Sequence, residues 1–374
     1  MFPRIKKIYE PIVKINNTIH IYCINSELEL IDETGDIKNL LDKFDGTMTI
    51  EEISRISNFS IEDINEFIEN LDEYGIIENA FCENILSLDE RERYKSNLNY
   101  FLHFSNLKQS SYSIQKKLLN STVLVLGLGG SSIVTANFAG MGVKKIIGID
   151  YDTVELGNLS RQFLFEEKDI GRLKTNVTKE RVNKINSNTE TLFINKKIVN
   201  SQQLLPLIKE SDVVLNGIDQ PTILATRWVN KACVDSKKVF VQGGVGDNKI
   251  MMQMFNSEDS GCFDCYLIKA MRDYPDFYKF LKKSYGVSFS DRNTAFAPNI
   301  TFLGGMLSKE VFNILVSTNS STQSSYTLEF DAISMEKENY FEWDKEDECP
   351  TCGKNKIKDL VDIDALHNIA CKGR

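Results

Sequence analysis

Basic charge is in short supply. Across 374 residues, 44 Lys and Arg face 53 Asp and Glu, for a net charge of −9. That balance argues against a nucleic-acid binder, whose phosphate contacts need a positive face. Histidine is scarcer still: the three residues His20, His103 and His367 are too dispersed to suggest a metal cluster or a Cys–His pair. No apolar run approaches the roughly 18 residues that a membrane-spanning helix requires. The start, Met1-Phe2-Pro3-Arg4, has no hydrophobic signal region. These absences lead to the expectation of a cytoplasmic protein with no membrane and no nucleic-acid partner. Eight cysteines in such a compartment point to metal sites or free thiols rather than disulfides.

What is present is ordered around Ser121–Arg161. Val123–Leu126 is an apolar run with the length and β-branched content of a buried parallel strand. The turn Gly127-Leu128-Gly129-Gly130 follows, then a helix-length segment to Gly140, then a second strand, Lys145–Ile149, that ends in Asp150. This βαβ unit has the parts of a nucleotide site. The glycines let the backbone approach a phosphate at the helix start, and Asp150, about twenty residues on, is placed to bind ribose hydroxyls. A glycine turn alone fits a nicotinamide dehydrogenase equally well. The residues beyond it do not: Asp150-Tyr151-Asp152, Asn158-Leu159-Ser160-Arg161-Gln162 and Gly171-Arg172-Leu173-Lys174 form a polar, cationic series. An enzyme that breaks a nucleoside triphosphate needs such cations to neutralise phosphate charge as it builds.

The length suggests two or three domains, and 42% apolar content supports a sizeable core. Residues 1–85 read as a separate module. Extended segments at Pro11–Ile15, Thr18–Ile24 and Leu28–Ile31 precede three helical segments: Ile37–Phe44, one starting at Thr49 with Glu52 in capping-box spacing, and one starting at Ser60 with Asp63. Ile61, Ile64, Phe67, Ile68 and Leu71 form the apolar stripe of the last. Gly75 stops it, and Ile76-Ile77 opens a candidate wing strand. A winged helix ordinarily suggests DNA, but Thr47–Glu90 holds twelve carboxylates and one basic residue, Arg55, which excludes phosphate contact there. Peptide capture by strand addition is the alternative use of such a module. Residues 86–115 read as a polar connector, and 116–374 as the nucleotide domain.

Beyond Lys174, α/β alternation continues to the strand Val213-Val214-Leu215, which ends at Asn216-Gly217-Ile218-Asp219. Asp219 thus sits at a strand's carboxyl end, where open α/β sheets place ligands; a turn or helix cap is the plain alternative. Gln242–Gly246 ends a further strand and is expected to face the acyl substrate. Cys262-Phe263-Asp264-Cys265 and Cys349-Pro350-Thr351-Cys352 are two C-x-x-C knuckles. Together they make a closed four-thiolate set for a structural Zn2+, with no position left for catalysis. Arg272–Asn293 reads as a crossover loop over the active site. Cys23, Cys82, Cys233 and Cys371 read as packing or free thiols.

The D-x-D…N-L-x-R-Q…G…K series, spanning about Arg93 to Gly353, resembles the ubiquitin-activating (ThiF/MoeB/HesA) adenylating superfamily. The resemblance implies an α/β fold, with a Rossmann-like adenylation domain on a mixed or parallel sheet beside a small winged-helix-like α+β domain. It also implies ATP and Mg2+ as cofactors and a homodimer. Gly127, Gly129, Gly130, Asp150, Asp152 and Asn158 would hold the nucleotide, Arg161 and Lys174 the phosphate charge, and Asp219 the magnesium. Two positions depart from the pattern. Ser132 replaces the third glycine of the turn, and Ser96 stands where an arginine reaches the partner's phosphates, leaving Arg91, Arg93 or no trans arginine. Thr294–Asn299 carries no thiol, which argues against the thioester chemistry of cysteine-using activators. The N-terminal pattern is similar to a PqqD-like recognition element and points to the peptide-adenylating (MccB-like) branch. The expected substrate is therefore a ribosomal precursor peptide activated as acyl-adenylate, with later cyclisation or nucleotide transfer left open. A ubiquitin-like sulfur carrier as substrate, or a non-catalytic partner-binding role, are the alternatives.

Overall fold

The computed structural model describes residues 1–22, 27–80, 85–246, 248–288, 294–316 and 324–372. Cys23 and Cys82 lie outside them. The chain divides into two units, Met1–Leu119 and Asn120–Arg374.

The first unit begins with β1 (Pro3–Ile5), β2 (Val13–Ile15), β3 (Thr18–Tyr22) and β4 (Glu27–Ile31), followed by α1 (Asp36–Leu41), α2 (Ile50–Ile56) and α3 (Ile61–Glu73). Thr49 and Ser60 each close a capping box, with Glu52 and Asp63, so both helices start where local hydrogen bonding satisfies their free N–H groups. Gly75, at φ 68°, ends α3. The stripe of α3 is narrower than expected: Ile64, Ile68 and Leu71 are buried, while Ile61 is exposed. They pack with Ile19 and Ile21 from the inner face of the β2–β3–β4 antiparallel sheet. The strand after α3, β5 (Ile77–Asn79), pairs antiparallel with β1, Ile5 opposite Ile77. It is therefore partnered by the start of the chain.

Residues 86–115 are not an extended segment. They carry α4 (Leu88–Arg93), α5 (Lys95–Phe101) and the start of α6 (Ser111–Leu118). Two buried charges tie this stretch to the first strands. Lys6 Nζ donates to the Ser105 carbonyl at 2.6 Å. Glu78 accepts from Arg4 Nη2 at 2.6 Å and from the Ser111 N–H at 3.3 Å.

The second unit alternates β6 (Thr122–Leu126), α7 (Ser132–Met141), β7 (Lys145–Asp150), α8 (Lys174–Ile185), β8 (Glu190–Asn195), α9 (Leu205–Glu210), β9 (Val213–Asn216), α10 (Leu224–Ser236) and β10 (Phe240–Val245). Then come β11 (Lys249–Phe255), α11 (Phe263–Asp273), α12 (Pro275–Ser284), α13 (Ala297–Val316), β12 (Tyr326–Asp331), β13 (Lys337–Glu342) and α14 (Ile363–Lys372). All eight strands form one sheet in the order β13-β12-β11-β10-β9-β6-β7-β8. The five from β10 to β8 are parallel, and β11, β12 and β13 add antiparallel strands. Both faces are covered, which explains why β6 and β9 are apolar without alternation. Leu124, Val214 and Phe240 face one core, and Val123, Val213 and Val241 the other. The chain leaves β6 toward β7 and β8, then crosses back to β9 on the opposite side. The crevice above β6 and β9 is thus the switch point at which ligands enter such sheets.

The segment from Arg272, expected as a crossover loop, is largely helical: it completes α11 and forms α12 up to Ser284. Proline at the first helical position and an apolar side that buries Leu281 favour the helix. Residues 289–293 lie outside the described part. No helix among the described residues is long and apolar enough to cross a membrane.

Candidate active site

The glycine turn stands at the switch point. Gly127 has φ +79°, and a Cβ there would meet the Gly217 carbonyl oxygen at 2.7 Å. The turns after β6 and β9 therefore pass each other with no room for a side chain, and glycine is required. Gly130 has nothing within 4 Å of its Cβ position, so the turn opens outward there. A Cβ on Gly129 would meet the Gln162 side-chain amide nitrogen at 2.8 Å.

Asp150 is buried at the end of β7 and already has two partners. Its Oδ2 accepts the Leu128 N–H at 2.7 Å and its Oδ1 the Asp152 N–H at 2.8 Å. The carboxylate thus shapes the glycine turn as well as presenting oxygen to a ligand. Burial raises its pKa, against those two hydrogen bonds and Lys174. Lys174 reaches the site because residues 171–174 fold back along 152–154. Val154 N donates to Arg172 O at 2.8 Å, and Lys174 N to Asp152 O at 3.0 Å. Its buried ammonium lies 3.2 Å from Asp152 Oδ2. Asp219 meets solvent, yet loss of surrounding water raises its carboxyl above the usual range. Its own backbone N–H lowers it, Asp152 raises it and Lys174 lowers it.

Gly127, Gly129, Gly130, Asp150, Asp152, Lys174 and Asp219 thus gather at one crevice. Asn158 and Arg161 are engaged elsewhere. Asn158 Oδ1 caps its own turn, accepting the Glu155 N–H at 3.1 Å, and Arg161 Nη1 donates to the Gly157 carbonyl at 2.8 Å. Neither hydrogen-bonds the Asp150–Lys174 group among the described residues. Of the candidate trans arginines, Arg91 donates to Leu86 O at 3.2 Å and lies over the Tyr112 ring.

Two side chains that the sequence pattern names but gives no ligand role stand at the turn. Ser132 Oγ and Gln162 Oε1 are buried with no hydrogen-bond partner among the described residues. Buried polar atoms are rarely left so, and these border the start of α7, whose N–H groups suit an anion. Together with the open face at Gly130, they fit a phosphate-bearing ligand. Asp152 and Asp219 offer hard, solvent-facing oxygens of the kind Mg2+ takes while keeping several waters.

The four knuckle cysteines are all buried, with their sulfurs within 4.8 Å of one another. Cys262 and Cys349 are 3.7 Å apart, and Cys265 and Cys352 3.3 Å. A tetrahedral zinc with 2.3 Å bonds requires S···S edges of about 3.8 Å, so the set fits zinc. Asn230 Nδ2 and the Glu346 N–H point at Cys262 and Cys265 from 3.5 and 3.4 Å, the outer support that thiolates need. The histidines are less isolated than the sequence suggested. His367 Nε2 lies 3.5 Å from Cys371 Sγ, one turn away on α14. His20 Nδ1 lies 2.7 Å from Glu27 and 3.7 Å from Glu29 across β3 and β4. Strand pairing, invisible to sequence spacing, makes the second cluster.

Residues 98–351 match the ThiF family. The chain belongs to that family. Among curated relatives, this ThiF-family chain is 34% identical over 154 residues to the sulfur carrier protein ThiS adenylyltransferase of Escherichia coli K12, covering 40% of this chain and 60% of that one. It is 29% identical over 258 residues to the adenylyltransferase and sulfurtransferase MOCS3 of Dictyostelium discoideum, covering 66% and 56%. Across such relatives it spans 25% to 60% of their length. A crystal structure of E. coli MccB with ATP superposes with a TM-score of 0.72 at 22% identity, covering 94% of this chain and 100% of MccB. MccB has also been crystallised with MccA. At that identity the likeness establishes the shared fold.

Proposed function

We propose that the chain is an ATP-dependent adenylating enzyme that activates a carboxylate of a ribosomally made precursor peptide. The observation that carries the reading is the meeting of Lys174, Asp150, Asp152 and Asp219 at the glycine turn, from the ends of β7 and β9 and the start of α8. The peptide carboxylate oxygen attacks the α-phosphorus of ATP. The bond from that phosphorus to the bridging oxygen breaks, and acyl-adenylate and pyrophosphate result. Lys174, desolvated and directed by Asp152, stabilises negative charge on the phosphates. Asp150 keeps the turn in shape and offers its remaining lone pairs to ribose hydroxyls, with Asn158 ordering the turn that carries Arg161. Asp152 and Asp219 would hold Mg2+, which neutralises phosphate charge when bound. A Zn2+ on Cys262, Cys265, Cys349 and Cys352 is structural. The enzyme works as a homodimer in the cytoplasm.

Peptide rather than carrier protein is favoured by the first unit, whose acidic surface and small sheet suit an extended peptide, and by a fold likeness that runs the length of MccB. A sulfur-carrier partner is the second reading, because the curated relatives include a ThiS adenylyltransferase. ATP–pyrophosphate exchange decides between them. A peptide encoded by a neighbouring short reading frame should stimulate exchange, and a ubiquitin-like protein ending in Gly-Gly should not. Lys174→Ala and Asp219→Ala should each lower the exchange about a hundredfold or more. Retention of near-wild-type exchange would refute the assigned roles.

A further inference from the structure

Four polar side chains stand in one row across an otherwise apolar part of the sheet. Asn216 on β9 lies directly opposite Gln242 on β10, Gln242 opposite Gln253 on β11, and Gln253 opposite Thr327 on β12. Asn216, Gln253 and Thr327 are buried, and Gln242 is half-buried. Buried amides are costly unless every group is paired. Here the bonds run from one strand to the next. Asn216 Nδ2 donates to Gln242 Oε1 at 2.9 Å, Gln242 Nε2 to Gln253 Oε1 at 2.7 Å, and Gln253 Nε2 to Thr327 Oγ1 at 2.9 Å. The near end of the row is a backbone group: the Ile218 N–H donates to Asn216 Oδ1 at 3.1 Å.

That last bond gives the row its direction. A backbone N–H can only donate, so it fixes which way the Asn216 amide points, and each amide then fixes the next. Turning any one of them over would set two donors or two oxygens face to face. A single orientation of three amides is thus coupled to the conformation of the Asn216–Asp219 turn. Gly217 sits inside that turn with its backbone against Gly127 and has no side chain of its own to hold it, while Ile218 packs on the core beside it.

We propose that the row is a positioning device for Asp219, in which Gln242 and Gln253 act through Asn216 to hold the turn that presents its carboxylate to magnesium. The inference rests on the reading of Asp219 as a magnesium-binding residue. Each row member is a positioning residue, acting through the turn. Their value lies in preorganisation: an amide chain spanning four strands cannot drift without breaking several bonds at once.

The test uses the full chain, ATP and Mg2+, and needs no peptide. Gln253→Leu cuts the row in the middle. Amide hydrogen exchange at Ile218 should become about tenfold faster, as one supporting hydrogen bond weakens. The gain in ATP affinity on replacing EDTA with Mg2+ should shrink several-fold, while affinity in EDTA stays as in the wild type. Thr327→Val, at the far end, should move both readouts the same way but less, and Thr327→Ser should restore them. A Gln253→Leu protein that melts lower with Ile218 protection and the magnesium gain unchanged reduces the row to packing and overturns the proposal. If Gln253→Leu does not fold, Thr327→Val carries the test, and unchanged Ile218 protection overturns it. A wild-type protein whose ATP affinity ignores Mg2+ would refute the magnesium reading of Asp219, while Ile218 exchange would still decide whether the row holds the turn.

Discussion

Replacing Arg227 with methionine should destabilise the second unit far more than replacing it together with its partner. Arg227 and Asp264 are both fully buried and form a bidentate pair, Nε to Oδ1 at 2.8 Å and Nη2 to Oδ2 at 3.0 Å. Arg227 Nη1 also donates to the Tyr285 hydroxyl and to the Val361 carbonyl, each at 2.8 Å, and Thr351 Oγ1 donates to Asp264 Oδ2 at 2.6 Å. The pair therefore joins α10 and α11 to both the knuckle that follows β13 and the segment before α14. Without the guanidinium, Asp264 keeps one hydroxyl donor in a dry site. Breaking a buried pair in this way costs about 3–5 kcal/mol, and the orphaned Val361 carbonyl adds about 1–3 kcal/mol. At about 2–4 °C per kcal/mol for a domain of this size, the melting temperature should fall by roughly 10–30 °C. Arg227→Met with Asp264→Leu removes both charges and should recover about half of the loss or more. Denaturant titration of the two single variants and the double variant measures the coupling. A double variant whose loss equals the sum of the singles would show that the pair is not the unit described here.

Four further outcomes are expected. Elemental analysis of reduced protein should give close to one zinc per chain; less than about half an equivalent would refute a closed four-thiolate site. Lys6 is held at a pKa of about 8, against 10.5 in the open chain, by burial that Glu78 and Asp72 only partly offset. The unfolded chain thus binds the extra proton between those values, so the stability of the first unit should rise with pH across that window, by about 3 kcal/mol at most. Lys6→Met should flatten that slope, and an unchanged slope would assign it to other groups. Asp219→Asn removes a carboxylate whose pKa the fold raises, so thermal melting of the ligand-free protein should hold or improve while the magnesium gain in ATP affinity disappears; a lower melting temperature would contradict that raised pKa. Fluorescence anisotropy should show the full chain binding its precursor peptide with micromolar affinity and ignoring duplex DNA at low salt, and DNA binding would revive the ordinary winged-helix use.

The βαβ unit was legible because its signals are local. An unbroken apolar strand, a glycine turn and an acid at the next strand's end each declare themselves within a few residues, as do the capping boxes at Thr49 and Ser60. The knuckles were legible because thiolate pairs on a tetrahedral ion demand a fixed spacing. What escaped was set by pairing between distant segments. Pro3–Ile5 becomes a strand only because Ile77–Asn79 lies beside it. The helical character of α12 was masked by its polar and aromatic residues. The row from Asn216 to Thr327 looks, strand by strand, like isolated polar lapses in apolar runs, and only the register aligns them. Asn158 and Arg161 were assigned to phosphate from their place in a motif, while the folded turn first uses their hydrogen-bonding groups on itself.

The two knuckles are separated by 87 residues of chain, and that span contains α11 to α13 and the antiparallel strands β12 and β13. Tying off a loop of that length removes about 4 kcal/mol of chain entropy from the unfolded ensemble. An ion held by the four cysteines would thus be a biogenesis factor more than a reagent. A newly made chain without it would have to hold its antiparallel flank by strand pairing and packing alone, and the flank is where the Gln253–Thr327 end of the amide row is anchored. Zinc scarcity during synthesis should then lower the yield of folded protein rather than the turnover of each folded molecule. Returning zinc after the fact should rescue only chains that have not yet aggregated.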